Sequence, residues 1–225
     1  ADVLQELPEK ILLERRSEMT IEQIETTKEV LKTKVKPIVK FNMLIQVASH
    51  PCLIKKNLGE DIKLSSKLSI LEDLISGKAI NSKNTIIFTR FLKTQEIINN
   101  LAKKHYKFVK IINGSTDLSE RESIINKSKE SAVPCCLILS YKASAVGINL
   151  QHFDIVFHYD KWWNPQLEKQ AEDRAYRMGR KGDVTVYSLH TEGTIDDHIE
   201  RMHNKKNKIV ENIIGDNMGD EQSNA

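Results

Sequence analysis

From Ser65 onward the chain alternates between two kinds of pattern. Short runs dense in β-branched and apolar residues (NTIIFT, KFVKII, CCLILS, DIVFHY and VTVYSL) stand between longer segments whose apolar residues recur at helical intervals. Those segments are SSKLSILEDLISGKAI, FLKTQEIINNLAKK, DLSERESIINKSKE, NPQLEKQAEDRAYRMG and TIDDHIERMHNKKNKIVENII. Near-continuous apolar strands between helices predict an α/β fold whose mainly parallel sheet is covered on both faces. Crossovers in such sheets are right-handed, and ligands sit beyond the carboxyl ends of the strands.

Ahead of this unit a short extended lead gives way to helix. SEMTIEQIETTKEVLKTKVKP predicts a helix with Ser17 as its cap and Pro37 as its stop. IVKFNMLIQVASHP predicts a second helix that ends before Pro51, and the polar KKNLGEDIK marks a boundary. The expected organisation is a helical segment over 1–63, an α/β lobe over 64–215 and a disordered polar tail over 216–225.

Composition narrows the picture only a little. A chain of 225 residues with 40% hydrophobic content can bury a real core, and no apolar run is long enough to span a bilayer. The chain opens on Ala1 with no signal segment, so it reads as a piece of something longer. Cys52, Cys135 and Cys136 lack metal-ligand spacing and are expected as buried free thiols. His50, His152 and His158 have no zinc spacing either and read as packing or surface residues. A net charge of +3 permits a local basic face and proves nothing about nucleic acid.

The loops after the strands carry the candidate chemistry. NTIIF is followed by Thr89, Arg90 and Phe91; KFVKII by NGSTDLSER, with Gly114, Ser115, Arg121 and either Thr116 or Asp117 as a helix cap. CCLIL is followed by SYKASAVGINL, with Ser140, Lys142, Gly147 and Asn149. Turn chemistry accounts for any one of these loops alone. Three together on one sheet edge point to a phosphate backbone, which hydroxyls, amides and cations can hold without reading sequence. Trp162 and Trp163 follow the next strand; one is expected to pack under the edge and the other to face nucleic acid.

KQAEDRAYRMGRKGD then sets Arg174, Arg177 and Arg180 at three-residue spacing. An amphipathic helix whose cations pair with Glu168, Glu172 and Asp173 explains this array as well as a phosphate grip does.

The motifs taken together resemble the Swi/Snf family of DNA-dependent ATPases. WWNPQLEKQAEDRAYRMG is similar to that family's sixth helicase motif with its Trp-Asn-Pro lead, SYKASAVGINL to its fifth and NTIIFTRF to its fourth. INGSTDLSER, LIQVASHPCLI, SSKLSILEDLI and the closing TIDDHIERMHNKKNKIVENII fall in the family's order, so the resemblance runs from about Leu7 to Ile214. The double tryptophan with Glu168 is nearest the branch that includes helicase-like transcription factor, and a short viral member such as a global transactivator is compatible with the terse loops.

The resemblance implies the second RecA-like lobe of a two-lobe, ATP-driven translocase on double-stranded DNA, preceded by a helical inter-lobe segment. It implies catalytic arginines at Arg174 and Arg177, and nucleotide contacts from Gln170, Gly147 and Asn149. It implies DNA contacts from Thr89, Arg90, Gly114, Ser115, Arg121, Ser140, Lys142 and Trp163, with no structural metal. ATP with Mg2+ would be held mostly by a first lobe of the same protein, since this chain has no G-x-x-x-x-G-K-[ST] and is expected to be inactive alone. Chromatin or transcription proteins are implied as further partners, in a nuclear setting. Departures are Ser144 and Ala145 for a glycine pair, Tyr176 for His, and Arg90 and Arg180 for Gln.

The H-R-x-G-R-x-x-R pattern of DEAD-box RNA helicases is echoed by YRMGRKGD, but its last arginine would fall on Asp183, and a carboxylate cannot stabilise a departing phosphate. The competing reading is a free-standing RecA-like module that binds DNA or a partner and never meets ATP. Helical geometry is expected to place Gln170, Arg174 and Arg177 on one face of that helix, spaced by four and three, with Arg180 in the turn beyond.

Overall fold

The computed structural model describes residues 8–144 and 148–205. Gly147, the expected tail 216–225 and the end of the closing helix lie outside the described residues. The chain runs β1 (Lys10–Ser17), α1 (Ile21–Lys32), α2 (Pro37–Ser49), α3 (Ser66–Ser76), α4 (Lys78–Asn81), β2 (Thr85–Thr89), α5 (Leu92–Ala102), β3 (Phe108–Ile112) and α6 (Leu118–Glu130). It continues β4 (Cys135–Ser140), α7 (Tyr141–Ser144), β5 (Ile155–His158), α8 (Pro165–Glu172) and β6 (Val184–Thr191). A closing helix, α9, occupies 195–205.

The six strands among the described residues join one parallel sheet in the order β1-β6-β5-β2-β4-β3. Successive side chains point to opposite faces, so the apolar runs feed two cores. Ile87, Cys136, Ile138, Phe157 and Leu189 meet Leu68, Leu71, Ile75, Ile97, Ile98 and Leu101 on one side. Ile86, Phe88, Cys135, Leu137, Leu139, Val156, Val184 and Val186 meet Ile124, Ile125, Ala171 and Ala175 on the other. The adjacent Cys135 and Cys136 thus face opposite ways, and all three cysteines are buried free thiols.

The amino-terminal segment departs from its expected outline. KILLERRS is a full edge strand paired with β6 from Lys10↔Val184 to Ser17↔Thr191. Ser17 ends that strand instead of capping a helix. The α1 cap is Thr20, whose hydroxyl accepts from the Gln23 amide while Gln23 Oε1 accepts from the Thr20 amide, both at 3.1 Å. Pro37 does not stop α1; it opens α2, where its missing N–H has no intrahelical partner to lose. The two helices are tied to the sheet: Ser49 O accepts from Tyr159 Oη at 2.9 Å and Ser65 Oγ at 2.8 Å.

Sheet order decides where the loops meet. The chain crosses from β4 over β2 to β5, so the carboxyl ends of β5, β2, β4 and β3 lie side by side. The loops after those strands therefore converge on one edge.

Candidate functional site

At that edge a recess of about 290 Å³ is lined by Arg90, Phe91, Leu92, Asn113, Gly114, Ser140, Tyr141, Lys142 and Trp162. It gathers four of the eight expected DNA contacts: Arg90, Gly114, Ser140 and Lys142. Arg90 follows β2, with its guanidinium 4.6 Å from the Trp162 ring centroid and Nη2 donating to Asn42 Oδ1 at 3.0 Å. Burial pulls its pKa below the usual arginine range, against the pull of Asp160. Among the described residues its Nη1 and the Trp162 Nε1 are buried donors without a hydrogen-bond partner, and Asp160 Oδ1 is a buried acceptor likewise. Lys142 is exposed at the rim, and Ser140 Oγ accepts from the Ala143 amide at 3.3 Å.

The other four expected contacts fare differently. Thr89 is fully buried and its hydroxyl donates to Asp160 Oδ2 at 2.5 Å, so it has nothing to offer a ligand. Arg121 is 7% exposed, with Nε on Thr116 O at 2.8 Å and Nη2 on Asn113 O at 2.9 Å; it closes its own turn. Ser115 stays exposed, its hydroxyl on Asn113 Oδ1 at 2.6 Å. The tryptophans divide: Trp162 packs against Tyr141 with centroids 5.6 Å apart, and Trp163 is 44% exposed.

Asp160, which the sequence reading passed over, and Glu168, which it read only as a charge partner and a branch marker, shape this edge. Asp160 Oδ2 also accepts from the Arg90 amide at 3.0 Å, so it joins the end of β5 to the end of β2. Glu168 Oε1 accepts from the Trp162 amide at 2.6 Å and folds the tryptophan turn back onto α8. The cue for Asp160 was present, since it is a carboxylate between the end of β5 and an aromatic pair.

The second cavity, an open cleft of about 460 Å³, is lined by Gln170, Asp173, Arg174, Tyr176, Arg177 and Met178. It unites three of the expected nucleotide and catalytic residues, but not through one helix face. Asn164 caps α8 through the Gln166 amide at 3.2 Å, and Pro165 fills the first position. The helix ends at Glu172, because the next turns are drawn elsewhere: the Leu150 amide donates to Arg174 O at 3.0 Å, and Tyr176 Oη donates to Pro8 O at 2.8 Å. Arg174 and Arg177 thus project from turns, Arg174 half-buried and Arg177 exposed.

Arg180 is the keystone of those turns. Nε donates to Gly182 O at 2.7 Å; Nη1 to Gln151 O at 2.5 Å and Phe153 O at 2.7 Å; Nη2 to Asp154 Oδ1 and Asp183 O at 2.7 and 2.8 Å. All five N–H groups are matched, and the flanking Gly179 and Gly182, at φ 88° and 91°, let the backbone wrap around it. Asn149 is not in the cleft. It lines a separate cavity of about 470 Å³ with Arg121 and Lys129, and its Oδ1 accepts from the Gln151 amide at 3.0 Å.

Residues 66–179 match the family described as helicase conserved C-terminal domain. The chain belongs to this family. It is a C-terminal RecA-like lobe of the Swi/Snf kind. An uncharacterised ATP-dependent helicase of Mycoplasma genitalium is 30% identical over 94% of this chain and 21% of its own length. The chromatin-remodelling ATPase INO80 of Mycosarcoma maydis is 32% identical over 67% of this chain and 8% of its own length. The chain therefore spans about a fifth or less of these curated relatives. Among solved structures, the Sulfolobus solfataricus SWI2/SNF2 ATPase core in complex with double-stranded DNA superposes with TM-score 0.73. It is 27% identical, covering 94% of this chain and 47% of that one. The C-terminal part of the Fun30 ATPase domain shares the fold at TM-score 0.77 and 19% identity, covering 88% of this chain and 90% of that one. Bacterial as well as fungal relatives belong here, so membership does not fix a nuclear setting.

Proposed function

We propose that the chain is the second lobe of an ATP-driven translocase on duplex DNA, with the arginine cleft facing a triphosphate and the recess facing the DNA backbone. The observation that carries this reading is the convergence of Gln170, Arg174 and Arg177 on one open cleft while Arg180, three residues on, is fully engaged inside the fold. Two guanidiniums directed at one triphosphate can stabilise the charge that spreads over the transferring phosphoryl oxygens, an effect worth roughly 10³ to 10⁵ in rate in related enzymes. The cleft offers one carboxylate, Asp173, beside two arginines, a set that suits a phosphate and not a magnesium ion. Magnesium, which would neutralise charge on the phosphates, takes its ligands in this reading from a first lobe, with the phosphate loop.

The recess supports the DNA half of the reading. Arg90 and Lys142 supply cations and Gly114 leaves room for close approach. Trp163 and Ser115 extend the surface outward. Chromatin, transcription and repair remain candidate settings, and the nuclear one rests on the eukaryotic branch alone. In the two-lobe parent, Arg174→Ala and Arg177→Ala should each abolish DNA-stimulated ATP hydrolysis with the fold unchanged by circular dichroism. Wild-type turnover in either variant would refute the assignment. Parallel assays with duplex DNA, single strands and RNA separate a duplex motor from an RNA helicase and from a module that never uses ATP.

A further inference from the structure

A buried line of side chains runs from the recess to the arginine cleft. Tyr141 stands between Ser140 and Lys142, and its hydroxyl lies 2.7 Å from the Asp160 carbonyl and 2.8 Å from His158 Nδ1. His158 Nε2 lies 3.0 Å from Glu172 Oε1, and the other Glu172 oxygen pairs with Lys10 of β1. Glu172 is the last residue of α8, immediately before Asp173 and Arg174. The Tyr141 and His158 rings are each 1% exposed, lie 3° from parallel, and both stack beside Phe88.

Counting protons shows how tightly this line is specified. Burial, reinforced by Glu168, Asp160 and Glu172, pushes the Tyr141 hydroxyl well above its ordinary pKa, so it keeps its single proton. With that proton on the Asp160 carbonyl, the hydroxyl oxygen accepts from His158 Nδ1–H. Burial alone would raise the Glu172 carboxyl, but His158 and Lys10 together hold it below its ordinary value, so it accepts from Nε2–H. All three contacts are made together only when both ring nitrogens of His158 carry hydrogen. Loss of either hydrogen frees one end of the line: the Asp160 carbonyl at the tryptophan turn, or Glu172 beside the arginines.

We propose that His158 is a positioning residue that couples the recess to the arginine cleft, by fixing the start of α7 and the end of α8 in one geometry. The proposal rests on the reading of those two sites given above. Ligand held at Ser140 and Lys142 then orders the turns that carry Arg174 and Arg177, because both segments share the Tyr141–His158–Glu172 connection. A buried ionic line of this kind is weak evidence for stability, since apolar side chains fill such space at lower cost. Its two ends are what distinguish it.

The test uses the two-lobe parent. His158→Phe keeps the ring beside Phe88 and Tyr141 and removes both nitrogens; Tyr141→Phe removes one oxygen. Turnover is measured with and without duplex DNA, and duplex affinity alongside. His158→Phe should lower DNA-stimulated turnover by roughly fivefold or more, with DNA-free turnover and duplex affinity unchanged. Tyr141→Phe should lower stimulation in the same direction, and the double variant should be no worse than His158→Phe, since both break one connection. If His158→Phe fails to fold, the Tyr141→Phe comparison decides. Undiminished stimulation, or an equal fall in DNA-free and stimulated turnover, overturns the coupling role while leaving the sites in place. A wild-type parent that DNA does not stimulate would instead bring down the function proposed above, and the coupling with it.

Discussion

Arg177 and Arg180 are three residues apart and chemically identical, yet one is exposed and the other saturates five hydrogen bonds inside the fold. Arg180→Lys is the sharpest test of that difference, since an ammonium cannot reproduce the planar fork. It should leave several buried acceptors bare and cost about 3 kcal/mol in urea unfolding. A change within half that value would show that the acceptors find water. His152 offers a pH test. Burial first, then Lys129 and Arg180, lower its pKa from 6.5 to about 4. Its folded pKa lies below its unfolded one, so its contribution is complete above pH 6.5 and is lost as pH falls toward 4. Thermal melts across that window should show a midpoint that falls less in His152→Gln than in the wild type.

At the scale of elements, Lys67 and Asp196 bind α3 to the first turn of α9 through a 2.7 Å pair with both side chains 1% exposed. Lys67→Met should destabilise the chain by about 3 to 5 kcal/mol by stranding a buried carboxylate. Adding Asp196→Asn should recover part of that loss, and additive losses on denaturant unfolding would argue against the pair. The strands from β2 to β6 and most of their helices were legible because buried parallel strands leave unbroken apolar runs. β1 was not legible as a sheet member, because an edge strand exposes one face and KILLERRS mixes charge with apolar residues. The end of α8 was equally hidden: AEDRAYRM remains helix-compatible, and only the distant Leu150 and Pro8 draw it into turns. Motif order brought Gln170, Arg174 and Arg177 to one cleft, whereas sequence spacing gave no sign that Thr89 and Arg121 are buried or that Asn149 lines a separate cavity. His158, read as packing, gains its partners only through the crossing of β4 and β5.

For the molecule as a whole, 34 basic against 31 acidic residues leave a net charge of +3, too little for unspecific attraction to hold DNA. In the function proposed above, DNA binding has to come from local placement, and salt resolves which cations take part. Each phosphate neutralised releases counterions, so the logarithm of duplex affinity should fall linearly with the logarithm of salt concentration. Lys142→Ala, at the rim of the recess, should reduce that slope by about one and weaken unrelated duplex sequences equally. Arg177→Ala, in the other cleft, should leave the slope alone. A fluorescence-anisotropy titration of the three proteins at several salt concentrations checks this. If Arg177→Ala reduces the slope and Lys142→Ala does not, the DNA runs across the arginine cleft and the two sites have been assigned in reverse.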